Sequence, residues 1–304
     1  MLKIATELFA LGLYTNFSQA VVSFNLSGTG TVSLSTLSVF DVKASHAGNI
    51  AFGPVSDSAS FAYYFPIETN NLLTISTSSD SGIINNVTMS RPVTLEMSAW
   101  YNDLMFSLAS VEPFSGQTSA VSVSPVSGVL TVLTTPLSVE AFLPGASKCS
   151  AQPHHPICYF VVVSEIDMLE HVWALNVSNK ASLVMDYTLS LDGAGFISIC
   201  PWWPASVDSE RVLAIAEITD PSGKSHLALV DVGTVGGSST VLANLPAVYG
   251  PMQGNMVASA DGCKVYILTV VGVPGVTARL QTYVLLRKYR DTPTYIYADL
   301  FLVI

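Results

Sequence analysis

The sequence predicts an all-β fold, and three observations lead to that class. Short runs of β-branched and aromatic residues alternate with Gly, Pro, Asn, Asp and Ser turns along the whole chain of 304 residues. No long stretch holds the period of a helix. Charged residues make up 11% of the chain, against roughly a quarter in an average soluble protein. A polar but weakly ionic surface therefore surrounds a large β-structured core.

A unit of about fifty residues recurs along this chain. Each copy holds a strand, a small polar turn and a further strand, with an apolar strand before it and another after it. One aligned column lies at intervals of 48 to 55 residues and contains Phe24, Ile75, Val123, Leu175, Val230 and Leu285. Because one four-stranded sheet cannot bury both of its faces, such repeats stack around an axis. The sequence therefore predicts a β-propeller, with six blades favoured over seven, while a β-sandwich or two β-domains is the weaker alternative.

The repeats define a single domain over residues 1–304 without an internal linker. Their approximate limits are 8–57, 58–103, 104–157, 158–209, 210–262 and 263–304. The N-terminal residues "MLKIATELFALGLYT" have two interpretations, a signal peptide or the second strand of a blade. In the second interpretation the C-terminal "ADLFLVI" completes that blade as its innermost strand and closes the ring. A fragment of a larger propeller is a further alternative.

The clearest repeat copy is "GNMVASADGCKVYILTVV", residues 254–271. It resembles the repeat of YVTN-type and NHL-like propellers, in which the innermost strand ends in a Ser-Pro-Asp-Gly-like turn and a Val-Tyr-Val strand follows. Ala260 stands where that family usually has proline. The resemblance implies the fold and the order of strands within a blade, and much less about function.

Net charge argues against two classes of partner, nucleic acids and anionic membrane surfaces. The formal charge is −10, with 12 Lys and Arg residues in the chain. Nucleic acid binding requires clustered cations, and binding to an anionic membrane surface requires a basic block. Neither occurs here, and no apolar run is long enough for a transmembrane segment.

Cysteines and glycosylation sequons favour an extracellular or cell-surface protein over a cytoplasmic one. The four sequons begin at Asn16, Asn25, Asn86 and Asn176. In "CSAQPHHPIC" a local Cys149–Cys158 disulfide is favoured over zinc binding or free thiols, because this spacing matches no standard zinc motif. A second disulfide, Cys200–Cys263, is expected as an alternative to two free thiols, because both cysteines follow innermost strands of neighbouring blades.

One repeat column suggests a metal site on the propeller axis. It directly precedes the innermost apolar runs and contains Asn49, Glu96, Glu140, Phe196, Asn255 and Asp299. Carboxylate and amide oxygens that converge on an axis are ligands suited to calcium. This set resembles the central calcium ligands of gluconolactonase- and paraoxonase-type propeller hydrolases, which implies a metal that polarises a carbonyl or phosphoryl oxygen. Solvated polar side chains in a water-filled channel are the simpler alternative.

Two further groups of residues are candidates for ligand binding. Loops that lead into the innermost strands offer Asp41, Lys43, His46, Arg91, Asp186, Tyr187, Asp192 and Tyr249. In "CPWWP" two adjacent tryptophans, Trp202 and Trp203, cannot both point to one face of a strand. One of them is expected either to be exposed, where it can stack on a sugar or anchor a partner, or to wedge between blades.

No common catalytic motif is present in the sequence: there is no HExxH, G-x-S-x-G, P-loop or EF-hand pattern. We therefore expect an extracellular or surface propeller that acts as a binding or scaffolding module for a protein or a glycan. The alternative is a calcium-dependent hydrolase of the lactonase or esterase kind. A third interpretation is a segment of a larger surface protein without activity of its own.

Overall fold

Antiparallel β-strands form the described part of the chain. A computed structural model describes residues 7–13, 19–26, 32–40, 49–52, 61–65, 71–76, 83–90, 94–95, 99–101, 104–110, 118–134, 137, 139–142, 147–150, 155–191, 194–202, 210–245, 256–258, 264–271, 277–286 and 294–301. Side chains are described mainly from residue 104 to residue 245. These residues contain no helix, and so none that is long and apolar enough to cross a membrane.

The first three groups of strands follow one another along the chain. The first group is β1 (Glu7–Leu13), β2 (Gln19–Leu26) and β3 (Val32–Phe40). The second is β4 (Asn49–Phe52), β5 (Phe61–Phe65), β6 (Asn71–Ser76) and β7 (Ile83–Thr88). The third is β8 (Thr94–Leu95), β9 (Ala99–Tyr101), β10 (Leu104–Ser110), β11 (Thr118–Val123) and β12 (Leu130–Val132). Each group pairs in chain order, except that β8 and β9 both pair with β10.

Three more groups complete the described strands. The fourth is β13 (Val139–Phe142), β14 (Lys148–Cys149), β15 (Ile157–Ser164), β16 (Glu170–Asn176) and β17 (Ser182–Thr188). The fifth is β18 (Gly195–Trp202), β19 (Arg211–Thr219), β20 (Ser225–Thr234) and β21 (Thr240–Asn244). The sixth is β22 (Met256–Ala258), β23 (Lys264–Val271), β24 (Thr277–Leu286) and β25 (Thr294–Phe301). Both β13 and β14 pair with β15, and β17 joins β20 through Tyr187 and Thr188, so the fourth and fifth groups share one sheet.

Alternating side chains explain how consecutive sheets pack together. Along β15, Cys158 and Phe160 face a cluster shared with β10, while Tyr159 and Val161 face a cluster shared with β18 and β19. A strand that is apolar on both faces is buried on both sides, as its continuous β-branched run predicts. Similar clusters lie between the second and third groups and between the fifth and sixth. From the second group to the sixth, each pair of neighbouring groups therefore encloses its own hydrophobic core.

This arrangement is that of a β-propeller, in which four-stranded antiparallel sheets pack face to face. The all-β prediction is confirmed, and residues Glu7–Leu13 form a strand, as the blade interpretation of the N-terminus expects. The number of six blades and the single-domain organisation with its repeat limits stay predictions.

The interpretation of the C-terminal strand is wrong. The sequence places "ADLFLVI" beside the N-terminal strands, but β25 pairs with β24 through eight residue pairs and forms the outer edge of the last sheet. Residues 294–301 contain neither Gly nor Pro, and the strand that begins at Thr294 continues through Asp299. Pairing with β24 also closes a much shorter loop than pairing with the other end of the chain would.

Candidate functional site

The Cys149–Cys158 disulfide is present, as the sequence predicts. The two cysteines lie directly opposite each other in the antiparallel pair of β14 and β15. Beside them the Ser150 amide donates a hydrogen bond to the Ile157 carbonyl at 2.8 Å. The disulfide therefore closes the hairpin that carries Ser150, His155 and Tyr159.

The carboxylate of Glu210 is the centre of the polar cluster beside this disulfide. Its side chain is only 4% exposed. Oε1 accepts a hydrogen bond from the Ser150 hydroxyl at 2.7 Å, and Oε2 accepts one from the Tyr159 hydroxyl at 2.5 Å. The Nδ1 atom of His155 lies 3.2 Å from Oε2. We call Ser150, His155, Tyr159 and Glu210 the Glu210 cluster.

Burial and the nearby carboxylate both raise the pKa of Tyr159 in this cluster. Burial is the main cause that raises the pKa of Tyr159 well above its ordinary value, and the charge of Glu210 and its hydrogen bond raise it further. Burial also raises the pKa of Tyr187, whose ring centroid lies 6.4 Å from that of Tyr159. Both tyrosines are therefore neutral at neutral pH, and the Tyr159 hydroxyl donates its hydrogen bond to Glu210.

The Glu210 cluster is arranged for holding side chains in place. A serine nucleophile would donate its hydroxyl proton to a histidine base. Here the Ser150 hydroxyl donates to Glu210 instead, and its oxygen lies 3.2 Å from Nδ1 of His155, the same nitrogen that approaches Glu210. Nδ1 therefore carries the proton, which it shares between the two acceptors. The imidazole of His155 is 37% exposed, and its contact with the buried Glu210 carboxylate holds it in place.

A second polar pair lies on the adjoining strands. The Arg211 guanidinium contacts the Asp231 carboxylate through Nε at 3.0 Å and Nη2 at 2.7 Å. Burial raises the pKa of Asp231, and the neighbouring Arg211 opposes that shift. Trp202 stands directly opposite Arg211 in the pairing of β18 with β19. Trp202 is half-buried against the core between the fifth and sixth groups, which matches the wedged alternative more closely than full exposure, and Trp203 lies outside the described residues.

The predicted second disulfide is wrong, because Cys200 is a buried free thiol. Its Sγ accepts a hydrogen bond from the Ala258 amide at 3.1 Å and donates one to the Pro201 carbonyl at 3.3 Å. Burial raises the pKa of this thiol to about 11, and the nearby Lys148 opposes the shift. Cys200 and Trp202 share the face of β18 that packs on β22, with Cys200 buried and Trp202 half-buried there. Cys263 lies outside the described residues.

A second cluster contains Asp186, one of the predicted ligand-binding residues. Nδ1 of His171 lies 2.8 Å from Oδ1 of Asp186, and Nε2 lies 3.0 Å from Oδ2 of Asp167. The imidazole is 7% exposed, while the side chains of Asp167 and Asp186 are 40% and 29% exposed. A backbone hydrogen bond from Leu169 is the main cause that lowers the pKa of Asp167, and His171 lowers it further. We call Asp167, His171 and Asp186 the His171 cluster.

The predicted calcium column is only partly covered by the described residues, and the ring that it would form stays a prediction. Asp299 lies on β25, at the opposite edge of its sheet from β22, so its assignment to an innermost strand is wrong. Phe196 is buried between sheets, and Glu140 falls at the register shift where β13 pairs with β15. Asn49 stands opposite Phe65 at the start of β4. Glu96 and Asn255 lie outside the described residues, which contain no group of three acidic, His or Cys side chains suited to a metal ion.

Of the predicted loop residues, Asp186 and Tyr187 lie within the described residues. Those outside the described residues are Asp41, Lys43, His46, Arg91, Asp192 and Tyr249. The sequence reasoning missed Glu210, Ser150, Tyr159, Asp167 and His171. The quoted motif "CSAQPHHPIC" contained two members of the Glu210 cluster. Glu210 itself gave no signal beyond a single charge before an apolar strand.

Comparisons with known proteins support the fold class. No protein-family model matches the chain, and no curated protein matches it. A protein assigned as TolB from Agrobacterium tumefaciens is 12% identical, with 89% of this chain and 86% of that chain covered and a TM-score of 0.50. A triple-arginine mutant of AofleA from Arthrobotrys oligospora is also 12% identical, with 98% and 89% covered and a TM-score of 0.50.

A third solved structure is similar at a slightly lower score. The periplasmic gluconolactonase PpgL of Pseudomonas aeruginosa is 11% identical, with 97% of this chain and 98% of that chain covered and a TM-score of 0.49. Likeness at these identities concerns the fold alone. The chain is thus an all-β protein with a β-propeller fold. The YVTN or NHL type of its repeats stays a prediction.

Proposed function

We propose that this protein is an extracytoplasmic binding module that recognises a carbohydrate at the Glu210 cluster and at Trp202 and Arg211, which lie at the same end of the fifth group of strands. The observation that carries the proposal is the fixed, part-exposed imidazole of His155 on a buried carboxylate. Ligand sites typically combine a few rigid polar groups with aromatic surface. Here the polar groups come from two separate segments of the chain, residues 148–159 and 200–211.

Carbohydrate chemistry fits the groups available at this surface. Sugar hydroxyls both donate and accept hydrogen bonds, and sugar rings have apolar faces that stack on aromatic side chains. The Arg211 side chain is 43% exposed and is oriented by Asp231, so its guanidinium is a rigid donor. Trp202 is half-buried beside it. An acidic sugar is the ligand best matched to Arg211 and His155 in a chain of otherwise negative net charge.

The disulfide supports an extracytoplasmic location. Disulfides persist in oxidising compartments and are rare where thiols are kept reduced. Cys149 and Cys158 form one in a hairpin that carries the proposed site. Recovery of the chain from the medium of secreting cells with this disulfide intact, measured by intact mass with and without reductant, tests the location.

A glycan array with the purified full chain tests the binding proposal, followed by calorimetry on any sugar that binds. We expect His155→Ala and Arg211→Lys each to weaken sugar binding about tenfold, because each removes hydrogen bonds that the sugar accepts from a fixed side-chain donor. Lys224→Ala is the matched control, since Lys224 is an exposed cation in the turn between β19 and β20. An array without binding, or equal affinity for all three variants, contradicts the proposal.

The calcium-dependent hydrolase stays a separate prediction with its own measurement. It now depends on Asn49, Glu96, Glu140 and Asn255. Elemental analysis and thermal melting with millimolar calcium test it, because a ligand of the folded state raises the melting temperature. Absence of both bound metal and a melting shift would exclude this alternative.

A further inference from the structure

The outer strand β7 carries a glycosylation sequon whose asparagine is exposed to solvent. Asn86, Val87 and Thr88 are exposed, half-buried and exposed in turn. The half-buried Val87 packs on the core shared with the third group of strands. Since successive residues of a strand point to opposite faces, Asn86 and Thr88 point away from that core.

The side chains of this sequon are compatible with modification. The Thr88 hydroxyl donates to Asn71 at 3.1 Å across the strand pair, and both residues lie at the surface. The neighbouring Asn85 points inward and donates to the Pro125 carbonyl at 3.5 Å. Among the described residues the side-chain amide of Asn86 makes no hydrogen bond, so an attached sugar displaces no contact of the fold.

A second described sequon provides the contrast. Asn176 is half-buried in β16, a strand paired on both sides by β15 and β17. Its side-chain oxygen accepts hydrogen bonds from the amide and the hydroxyl of Ser178, at 3.0 and 2.8 Å. The next residue, Val177, is buried in the core between sheets. A glycan on Asn176 would have to break these contacts or crowd the neighbouring strands.

We infer that Asn86 is an N-glycosylation site whose glycan covers the exposed apolar end of β7. The inference takes from the proposed function only the extracytoplasmic location. In the transfer, Nδ2 of Asn86 attacks the anomeric carbon of an oligosaccharide carried on a polyprenyl diphosphate. A C–N bond forms, the bond from that carbon to the diphosphate oxygen breaks, the diphosphate leaves with the electron pair, and the amide loses one proton.

Apolar side chains on β7 give the glycan a structural role. Ile84 is 48% exposed, two residues from Asn86 along the strand, and Ile83 beside it is also exposed. Exposed apolar residues at an outer strand are sites for self-association. The first sugars of a glycan on Asn86 lie within reach of these side chains and shield them from other molecules.

The experiment expresses the full chain behind a heterologous secretion signal in a eukaryotic host. Peptide mapping after enzymatic deglycosylation in heavy-oxygen water shows which asparagines carried a glycan. We expect high occupancy at Asn86 and little at Asn176. We expect Asn86→Gln and Thr88→Ala to lose the corresponding mass, and Thr88→Ser, which keeps a hydroxyl, to retain it. Removal of the glycan under native conditions should increase self-association, and Ile84→Ser should reverse that increase.

Secreted, disulfide-bonded protein with an unmodified Asn86, or equal occupancy at Asn86 and Asn176, would overturn the inference. Carbohydrate binding by Asn86→Gln separates the two proposals. That variant should bind sugars like the parent, so a glycosylated chain that fails on the array contradicts only the proposed function. An unglycosylated chain that binds sugars contradicts only the site at Asn86.

Discussion

The Glu210 and His171 clusters pair the same chemical groups with opposite burial. In the Glu210 cluster the carboxylate is enclosed and the imidazole reaches solvent, whereas in the His171 cluster the imidazole is enclosed between two accessible carboxylates. A buried charge without its partners costs far more than an exposed one. The difference therefore indicates which group anchors each cluster and which group is presented at the surface. Glu210 anchors the first cluster, and His171 anchors the second.

The largest effect is expected when the buried anchor is replaced. Glu210→Gln keeps the shape but puts an amide donor opposite one of the two hydroxyls, that of Ser150 or that of Tyr159, so it should lower the free energy of unfolding by about 3 kcal/mol. Denaturant unfolding measures it. Glu217→Gln is the control, because Glu217 is an exposed carboxylate on the adjoining strand and should change stability by less than about 0.5 kcal/mol. Equal effects would refute the anchoring role of Glu210.

Loss of the disulfide should have the next largest effect on the free energy of unfolding. The bridge supports the Glu210 cluster, and the His171 cluster contains no disulfide. The bridge's loop of nine residues in sequence separation predicts a stabilisation of about 2.5 kcal/mol. Replacing Cys149 and Cys158 together by alanine should lower the unfolding free energy by that amount and abolish the response to reductant. Cys200→Ala should keep that response, since its thiol is unbridged. A double variant as stable as the parent would contradict this prediction.

The anchor of the second cluster should matter less. His171→Gln can keep one hydrogen bond to a carboxylate, and both carboxylates retain water, so we expect a loss of about 1 kcal/mol in unfolding free energy. His226→Gln is the control, because His226 is a half-buried histidine on β20 for which the described residues show no ion pair with two carboxylates. A loss for His171→Gln as large as that for Glu210→Gln would show that the difference in burial has no energetic meaning.

The smallest effects should appear in the pH dependence of the free energy of unfolding, where the two clusters act in different pH ranges. The pKa of Tyr159 is raised in the folded protein, so its stabilising contribution is complete below the unfolded pKa near ~10 and declines as pH rises above it. The pKa of Asp167 is lowered, so its contribution is present above the unfolded pKa of about 4 and is lost as pH falls through the folded value. Tyr159→Phe should flatten the alkaline limb of the stability profile, and Asp167→Asn the acid limb.

Stability profiles of both variants in a Cys200→Ala background test this division. That background is needed because the raised pKa of the Cys200 thiol also removes stability at alkaline pH. If Tyr159→Phe altered the acid limb instead, or Asp167→Asn the alkaline limb, the assignment of the clusters to opposite limbs would be wrong.

Local features of the sequence predicted the structure well. The repeat of strands and turns gave the fold class because side-chain alternation and turn chemistry act over a few residues. The Cys149–Cys158 bridge followed from its short loop. Strand continuity was misjudged at Asp299, because a recurring pattern of apolar runs does not show where one strand ends and the next begins.

The candidate sites depended on information that the sequence does not display. Two members of the predicted calcium column, Glu140 and Phe196, fall at register shifts in the innermost strands. A shift of one residue moves a side chain to the other face, and nothing in the composition of these strands marks it. Glu210 and Tyr159 are 51 residues apart and meet only because two sheets pack together. In the sequence, a single charged residue before a strand gives the same pattern whether its side chain lies in solvent or in a core.

The two residue pairs that join β17 to β20 have a consequence for how the molecule opens. They connect the fourth and fifth groups of strands into one sheet, and among the described strands no other two neighbouring groups share a sheet. Regions that share a hydrogen-bonded network exchange their amide protons as one cooperative unit. The protein segment from β13 to β21 should therefore exchange amide protons as a single block. Both clusters lie inside it, so neither is released to solvent while the other stays folded.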